Sequence, residues 1–269
     1  MGQRTAIGPA SRALFALAMA TLWPSGAGAH TSYLNPNLFS TVAAERITIE
    51  ASFTEDFLRP EFAVDAQDFH LYRPDGSRGA YDNIVPLSQM TVLESDLTEP
   101  GTYRFTTGER LGRTGRLARI DGLWRPLEPG SEPPPDAEIR PSQTATVADV
   151  YVSKGAPTTA VLDVEIGRLA IRPLTHPSEI YLGEGFSFHV LFDGAALPNQ
   201  VVHLYRDGGS YDETPFEQVL HTDANGVVAL SFDMPGIYLV MTRFGAEAPT
   251  GAETPLRSYT TSLTFEVVR

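Results

Sequence analysis

The sequence contains no cysteine, which excludes disulfides, thiolate metal sites, iron–sulfur clusters and cysteine nucleophiles together. Positive charge is scarce. Lys154 is the sole lysine, and 20 Lys plus Arg stand against 33 Asp plus Glu, a formal net charge of −13. That balance does not suit nucleic acid, which needs a basic face for its phosphates, or anionic lipid. No long segment has the 3.6-residue apolar period of an amphipathic helix. No apolar run reaches the roughly 20 residues a membrane span requires, so the protein is not expected to be membrane-embedded. Gly-x-Ser-x-Gly, His-Glu-x-x-His and a Gly-rich phosphate loop are all missing, and the chain reads as a non-enzyme. What is present is a turn-rich globular composition: 23 Gly, 21 Pro and 42% hydrophobic residues in 269.

Residues 1–12 carry Arg4 and Arg12 and no acid. Ala13–Leu22 is apolar, and Ala27-Gly28-Ala29 has a small–x–small form. This reads as a signal peptide over 1–29, cleaved after Ala29. The mature chain then starts at His30 with a charge of −15, since two arginines are lost with the leader. The expected location is the Gram-negative periplasm, and the expected state is a monomer.

Two stretches of the mature chain match. His70-Leu71-Tyr72-Arg73 resembles His203-Leu204-Tyr205-Arg206, and Pro100-Gly101-Thr102-Tyr103 resembles Pro235-Gly236-Ile237-Tyr238 at nearly the same spacing. Both copies have strand chemistry. Ile47–Phe53 and Phe186–Phe192 alternate apolar and polar residues, and Ser258–Val268 is rich in β-branched and aromatic residues. Asp193-Gly194 and Asn225-Gly226 are turn dipeptides, the latter favoured because both residues tolerate φ > 0. The predicted fold is all-β, two tandem immunoglobulin-like sandwiches, an N-terminal one over 30–164 and a C-terminal one over 165–269. Leu127–Pro141, with five prolines, is expected to form a loop outside any strand interior. Thr144–Val150 and Thr158–Glu165 are expected to be strands of the first module. The four arginines at 110, 113, 116 and 119 read as a solvated hairpin, with an anion site as the alternative.

The series Leu169–Pro177, Gly183-Glu184, Phe188–Gly194, Thr222–Gly226, Pro235–Tyr238 and Tyr259–Phe265 resembles an uncharacterised bacterial periplasmic domain family. Its members are often labelled the periplasmic component of cobalt- or nickel-type ABC transport systems. The resemblance implies an exported, Ig-like protein with His at the mature N-terminus, as His30 is here. It also implies a membrane transporter or outer-membrane receptor as partner. Relatives carry additional histidines near the ends of the first strands, where this chain has Glu55, Asp56 and Arg59.

His30 is the leading candidate ligand. Freed by cleavage, its α-amine and imidazole could together chelate Co, Ni or Cu, ions that favour nitrogen ligands. Glu55 and Asp56, just past the first long strand, are candidate oxygen ligands. His70 and His203 hold the same place in both copies and read as structural. His189 reads as a strand histidine and His221 as exposed; His176, before Pro177, is ambiguous. The function this supports is a periplasmic, non-enzymatic, metal-binding or metal-transport-associated protein. The alternative is an envelope scaffold or adhesion module that binds a protein or glycan without metal.

Overall fold

The computed structural model describes residues 30–127, 130, 132–208 and 216–269. The leader reading of 1–29 and part of the Pro-rich loop lie outside the described residues. The described chain is all-β, and no helix long and apolar enough to cross a membrane occurs in it.

Three sheets build two Ig-like sandwiches. A five-stranded sheet orders Thr31–Pro36, Arg46–Thr54, Thr91–Asp96 and Asn83–Pro86, with Phe62–Ala63 added to Arg46–Thr54. A four-stranded sheet centres on Gly185–Phe192, which pairs Leu169–Pro173, Ala195–Ala196 and Val227–Ser231. The third sheet has eleven strands and runs through both halves. From one edge it passes through Glu217–His221, Val201–Arg206, Gly236–Glu247 and Leu256–Val267. It then crosses Ile139–Lys154 to Gly101–Thr106 and His70–Tyr72.

The sandwiches join where Ser142–Val150 pairs in parallel with Leu256–Thr264, a nine-residue ladder between segments far apart in sequence. Ile139–Lys154 therefore serves two cores. Ala148, Val150 and Val152 point into the N-terminal core with Leu34, Ile49 and Phe105, while Ala145 and Tyr151 point into the C-terminal core with Phe186, Phe188 and Phe265. Alternation along a strand makes this possible, because successive side chains take opposite faces. Each fully buried Val, Leu, Ile or Phe among them contributes about 1.5–3 kcal/mol.

The two sequence copies fold alike. His70 pairs Thr106, five residues after Gly101, and His203 pairs Met241, five after Gly236. Both glycines take positive φ, 124° and 147°. Tyr103 and Tyr238 are buried, and each hydroxyl donates to the carbonyl four residues upstream, of Glu99 at 3.0 Å and of Met234 at 2.8 Å. This is the tyrosine corner of Ig-type sandwiches.

Two expectations need correction, and one turn is set from outside its dipeptide. Thr158–Glu165 is turn, not strand. Its backbone is satisfied by side chains, with Thr158 N–H donating to Thr102 Oγ1 at 2.9 Å, and only Val161 and Leu162 reach a core. Pro141 does sit within a strand, opposite Arg116. Its missing N–H is tolerated because the ladder to Leu256–Val267 begins one residue later, at Ser142. At Asn225-Gly226 only Gly226 has positive φ, since the Asp223 carboxylate accepts from the N–H groups of Asn225 and Val227 and sets the turn from the other side.

Candidate functional site between the sandwiches

The antiparallel ladder between Thr31–Pro36 and Arg46–Thr54 pairs Thr31 with Thr54. Continuing that register puts His30 opposite Glu55. The chain turns through Asp56–Pro60 and returns as Phe62–Ala63, with Phe62 opposite Phe53, which brings Glu61 back beside Thr54. His30 Nε2–H donates to Glu61 Oε2 at 3.0 Å, and Glu55 Oε1 lies 3.7 Å from the same nitrogen. The other oxygen of Glu61 accepts from the Glu55 N–H at 2.8 Å. The imidazole packs edge-on to Phe62, 5.1 Å between ring centroids. His30 thus starts an ordered, buried strand, with its ring held in place from two sides.

Of the three residues singled out from sequence, the structure gathers His30 and Glu55. Asp56 turns away, and its carboxylate takes Arg59 Nε at 3.2 Å in an i,i+3 pair. Glu61 joins in its place. Recognising Glu55–Pro60 as a hairpin turn would have placed Glu61 opposite the strand end. As the structure stands, no group of three or more His, Asp or Glu side chains among the described residues is arranged to hold a metal ion.

The remaining histidines divide between the frame and the surface. His70 is buried, and its Nδ1–H donates to the Asp68 carbonyl at 2.6 Å. Burial lowers its pKa below the usual histidine value; the bond to the Asp68 carbonyl opposes this and the Arg78 charge adds to it. His203 donates to Glu217 at 2.9 Å. His176, ambiguous in sequence, is a buried bracket between the sandwiches. Its Nδ1 accepts the Ser178 N–H at 3.1 Å, and its Nε2 reaches the Thr158 carbonyl at 3.1 Å and Thr102 Oγ1 at 3.0 Å. His221 is exposed.

His30 and Glu55 stand on the rim of a cleft of about 600 Å³ between the sandwiches. Its floor is the open end of the shared sheet. Towards Ala148 and Ser262 that face is covered by Thr31–Pro36, where Ser262 Oγ donates to the Ser32 carbonyl at 2.6 Å. Towards Ser142 and Ser258 it lines the cleft. The opposite rim is the hairpin of Arg110–Ile120 and Leu123–Pro126, turned by Asp121-Gly122 with both residues at positive φ. That hairpin bears Arg110, Arg113 and Arg116 into the cleft. Arg110 lies over the Phe53 ring at 5.1 Å and donates from Nε to the Asp65 carbonyl at 2.5 Å. Burial lowers its pKa from the usual guanidinium value; Asp65 opposes this and the Arg113 charge adds to it.

The fold is all-β, two sandwiches with a cleft at their junction. The chain belongs to the family described as Domain of unknown function (DUF4198), whose model matches residues 27–245, the N-terminal sandwich and most of the C-terminal one. No curated protein matches the chain. Among solved structures, the D0-D1 domain of intimin is similar at 14% identity over 86% of this chain and 96% of that one, TM-score 0.21. The Yersinia pseudotuberculosis adhesin InvE is similar at 15% identity, with 88% of this chain and 60% of that one covered and a TM-score of 0.22. At such scores neither superposition carries an argument, and the sandwich assignment rests on the sheets described above.

Proposed function

We propose that this is an exported, non-enzymatic metal-binding protein of the periplasm, taking a cobalt-, nickel- or copper-type ion at His30 and passing it to a membrane transporter or outer-membrane receptor. The observation that carries the reading is the convergence of Glu61 and Glu55 on His30 Nε2 at 3.0 and 3.7 Å. If the leader is removed after Ala29, the His30 α-amine becomes a second nitrogen beside the imidazole. The α-amine and Nδ1 together form a two-nitrogen chelate of the kind these ions favour. The chelate takes the α-amine and Nδ1 and leaves the Nε2–H bond to Glu61 to orient the ring; it displaces the α-ammonium proton, so binding strengthens as pH rises. The resemblance to transport-associated periplasmic proteins supports the delivery role.

Calorimetric titration of the chain beginning at His30 with Ni²⁺, Co²⁺ and Cu²⁺ tests this. Stoichiometric binding is expected, lost when one Gly precedes His30 and at least about tenfold weaker in Glu61→Gln. Equal binding in all three proteins, or none, overturns it. Weight then moves to the alternative, an envelope module that binds a protein or glycan without metal.

A further inference from the structure

We infer that the cleft between the sandwiches is a binding site for a small hydroxylated organic acid, a uronic acid or a hydroxy-polycarboxylate, held by arginines on one rim and by hydroxyls on the floor. The inference goes beyond metal binding and does not depend on it.

The first support is charge. The protein is acidic overall, yet Arg110, Arg113, Arg116 and Arg243 all line this one cleft, and Glu55 is the only carboxylate among its described lining residues. Arg113 and Arg116 are exposed, and neither side chain makes a hydrogen bond or ion pair with a described residue. Three guanidinium groups on one short strand repel one another, an arrangement that an incoming carboxylate relieves through paired N–H donors.

The second support is unmet hydrogen-bonding capacity. Ser142 and Ser258 are only 3% and 4% exposed, and with Thr144 and Thr146 they line the cleft floor. None of these four hydroxyls has a hydrogen-bond partner among the described residues. Thr144 and Thr146 are half-buried, and none of the four hydroxyls is a buried atom left without a partner, so the row opens on the cleft and can bond a polar ligand there. Neutral hydroxyls match ligand hydroxyls better than they match a bare ion.

The third support is shape. Gly112 sits at an irregularity in the ladder between Leu111 and Thr114, and a Cβ there would lie 2.4 Å from Thr144 Oγ1 and 2.9 Å from Arg110 Nη1. A Cβ there would crowd that floor hydroxyl and that rim guanidinium and push one of them aside. Phe53 and the half-exposed Phe62 add an apolar wall that fits the C–H face of a sugar ring. About 600 Å³ is the size of a small-molecule site.

The test is calorimetry in metal-free buffer with galacturonate, citrate and inorganic phosphate as probes. One-to-one binding of galacturonate or citrate is expected, weakening as NaCl rises. Galacturonate alone identifies a uronic-acid site, and citrate alone a hydroxy-polycarboxylate site. In the variant carrying Arg113→Gln and Arg116→Gln the affinity should fall at least about 30-fold, and in Thr144→Val about 3- to 10-fold. Both changes leave the cores untouched. Arg78→Gln, an exposed arginine outside the cleft, should bind as the parent does. Unchanged affinity in the double variant, no binding of either organic acid, or phosphate binding as tightly as both overturns the inference. Loss of metal binding at His30 would leave all of these outcomes unaffected, so the two readings fail separately.

Discussion

The two sandwiches repeat one plan and diverge at two places. Both have the Pro-Gly-x-Tyr corner, both corner glycines take positive φ, and both tyrosines bond four residues back. In the C-terminal copy the corner strand Gly236–Glu247 is followed directly by the last strand, Leu256–Val267. In the N-terminal copy a hairpin, Arg110–Ile120 and Leu123–Pro126, comes between Gly101–Thr106 and Ile139–Lys154. The second divergence is one residue wide. The position after the corner tyrosine is Leu239 in one copy and Arg104 in the other. The duplication supplies a frame, and the departures from it supply the cleft rim and the polar tie between the halves.

The largest test of that contrast is Arg104. It is buried at 2%, pairs with buried Asp149 at 2.6 Å, donates to the Val164 carbonyl in the connecting segment and lies over Tyr151 at 5.4 Å. Arg104→Leu installs the residue of the other copy but strands the Asp149 charge, and should cost about 3–5 kcal/mol in urea denaturation. Adding Asp149→Leu should recover most of it, because two apolar groups replace a buried pair at little net cost. No recovery would mean that the pair specifies the sandwich junction rather than merely neutralising itself.

The corner glycines give the next effect. Replacing either by Ala forces an L-residue into a positive φ, a cost of about 1–3 kcal/mol. The two should not be equal. A Cβ at Gly101 would lie 2.6 Å from Pro74 Cβ and 2.9 Å from Thr158 Oγ1, whereas at Gly236 its nearest contact is Arg206 Cγ at 3.9 Å. Thermal melts should therefore show Gly101→Ala as the more damaging substitution.

The smallest effect concerns the paired histidines. Burial lowers the His70 pKa, so between that value and the unfolded value of about 6.5 the unfolded chain binds more protons than the folded one. Stability then falls as pH drops through about 6.5 and stops falling from this source below the folded pKa. Melting temperatures from pH 7 to 5 should decline less steeply in His70→Gln than in the parent. Parallel slopes would remove His70 as a source of acid sensitivity.

Strands, turns and the duplication were legible because they rest on neighbouring residues. Alternation in Ile47–Phe53 and Phe186–Phe192 marks one buried face whatever lies opposite. Half of the candidate site was legible on the same basis, since His30 and Glu55 flank strands that pair. Glu61 was not, because its place depends on how the chain turns through Asp56–Pro60, nor was the diversion of Asp56 to Arg59. The floor of the cleft was the least visible part. In Leu256–Val267 the apolar set Tyr259, Leu263, Phe265 and Val267 alternates with Ser258, Thr260, Ser262 and Thr264, which reads as a strand with one face in water. The structure buries both faces.

The sequence by itself determined a two-copy all-β chain, its Pro-Gly-x-Tyr repeat and an acidic charge, since each follows from local pattern or composition. Only the tertiary structure decided that the copies share one sheet, that the Ser/Thr face becomes part floor and part interface, and that arginines and hydroxyls meet across a cleft. The physical reason is that the ladder joining Ser142–Val150 to Leu256–Thr264 links segments more than a hundred residues apart, and no short-range period in either segment encodes its partner.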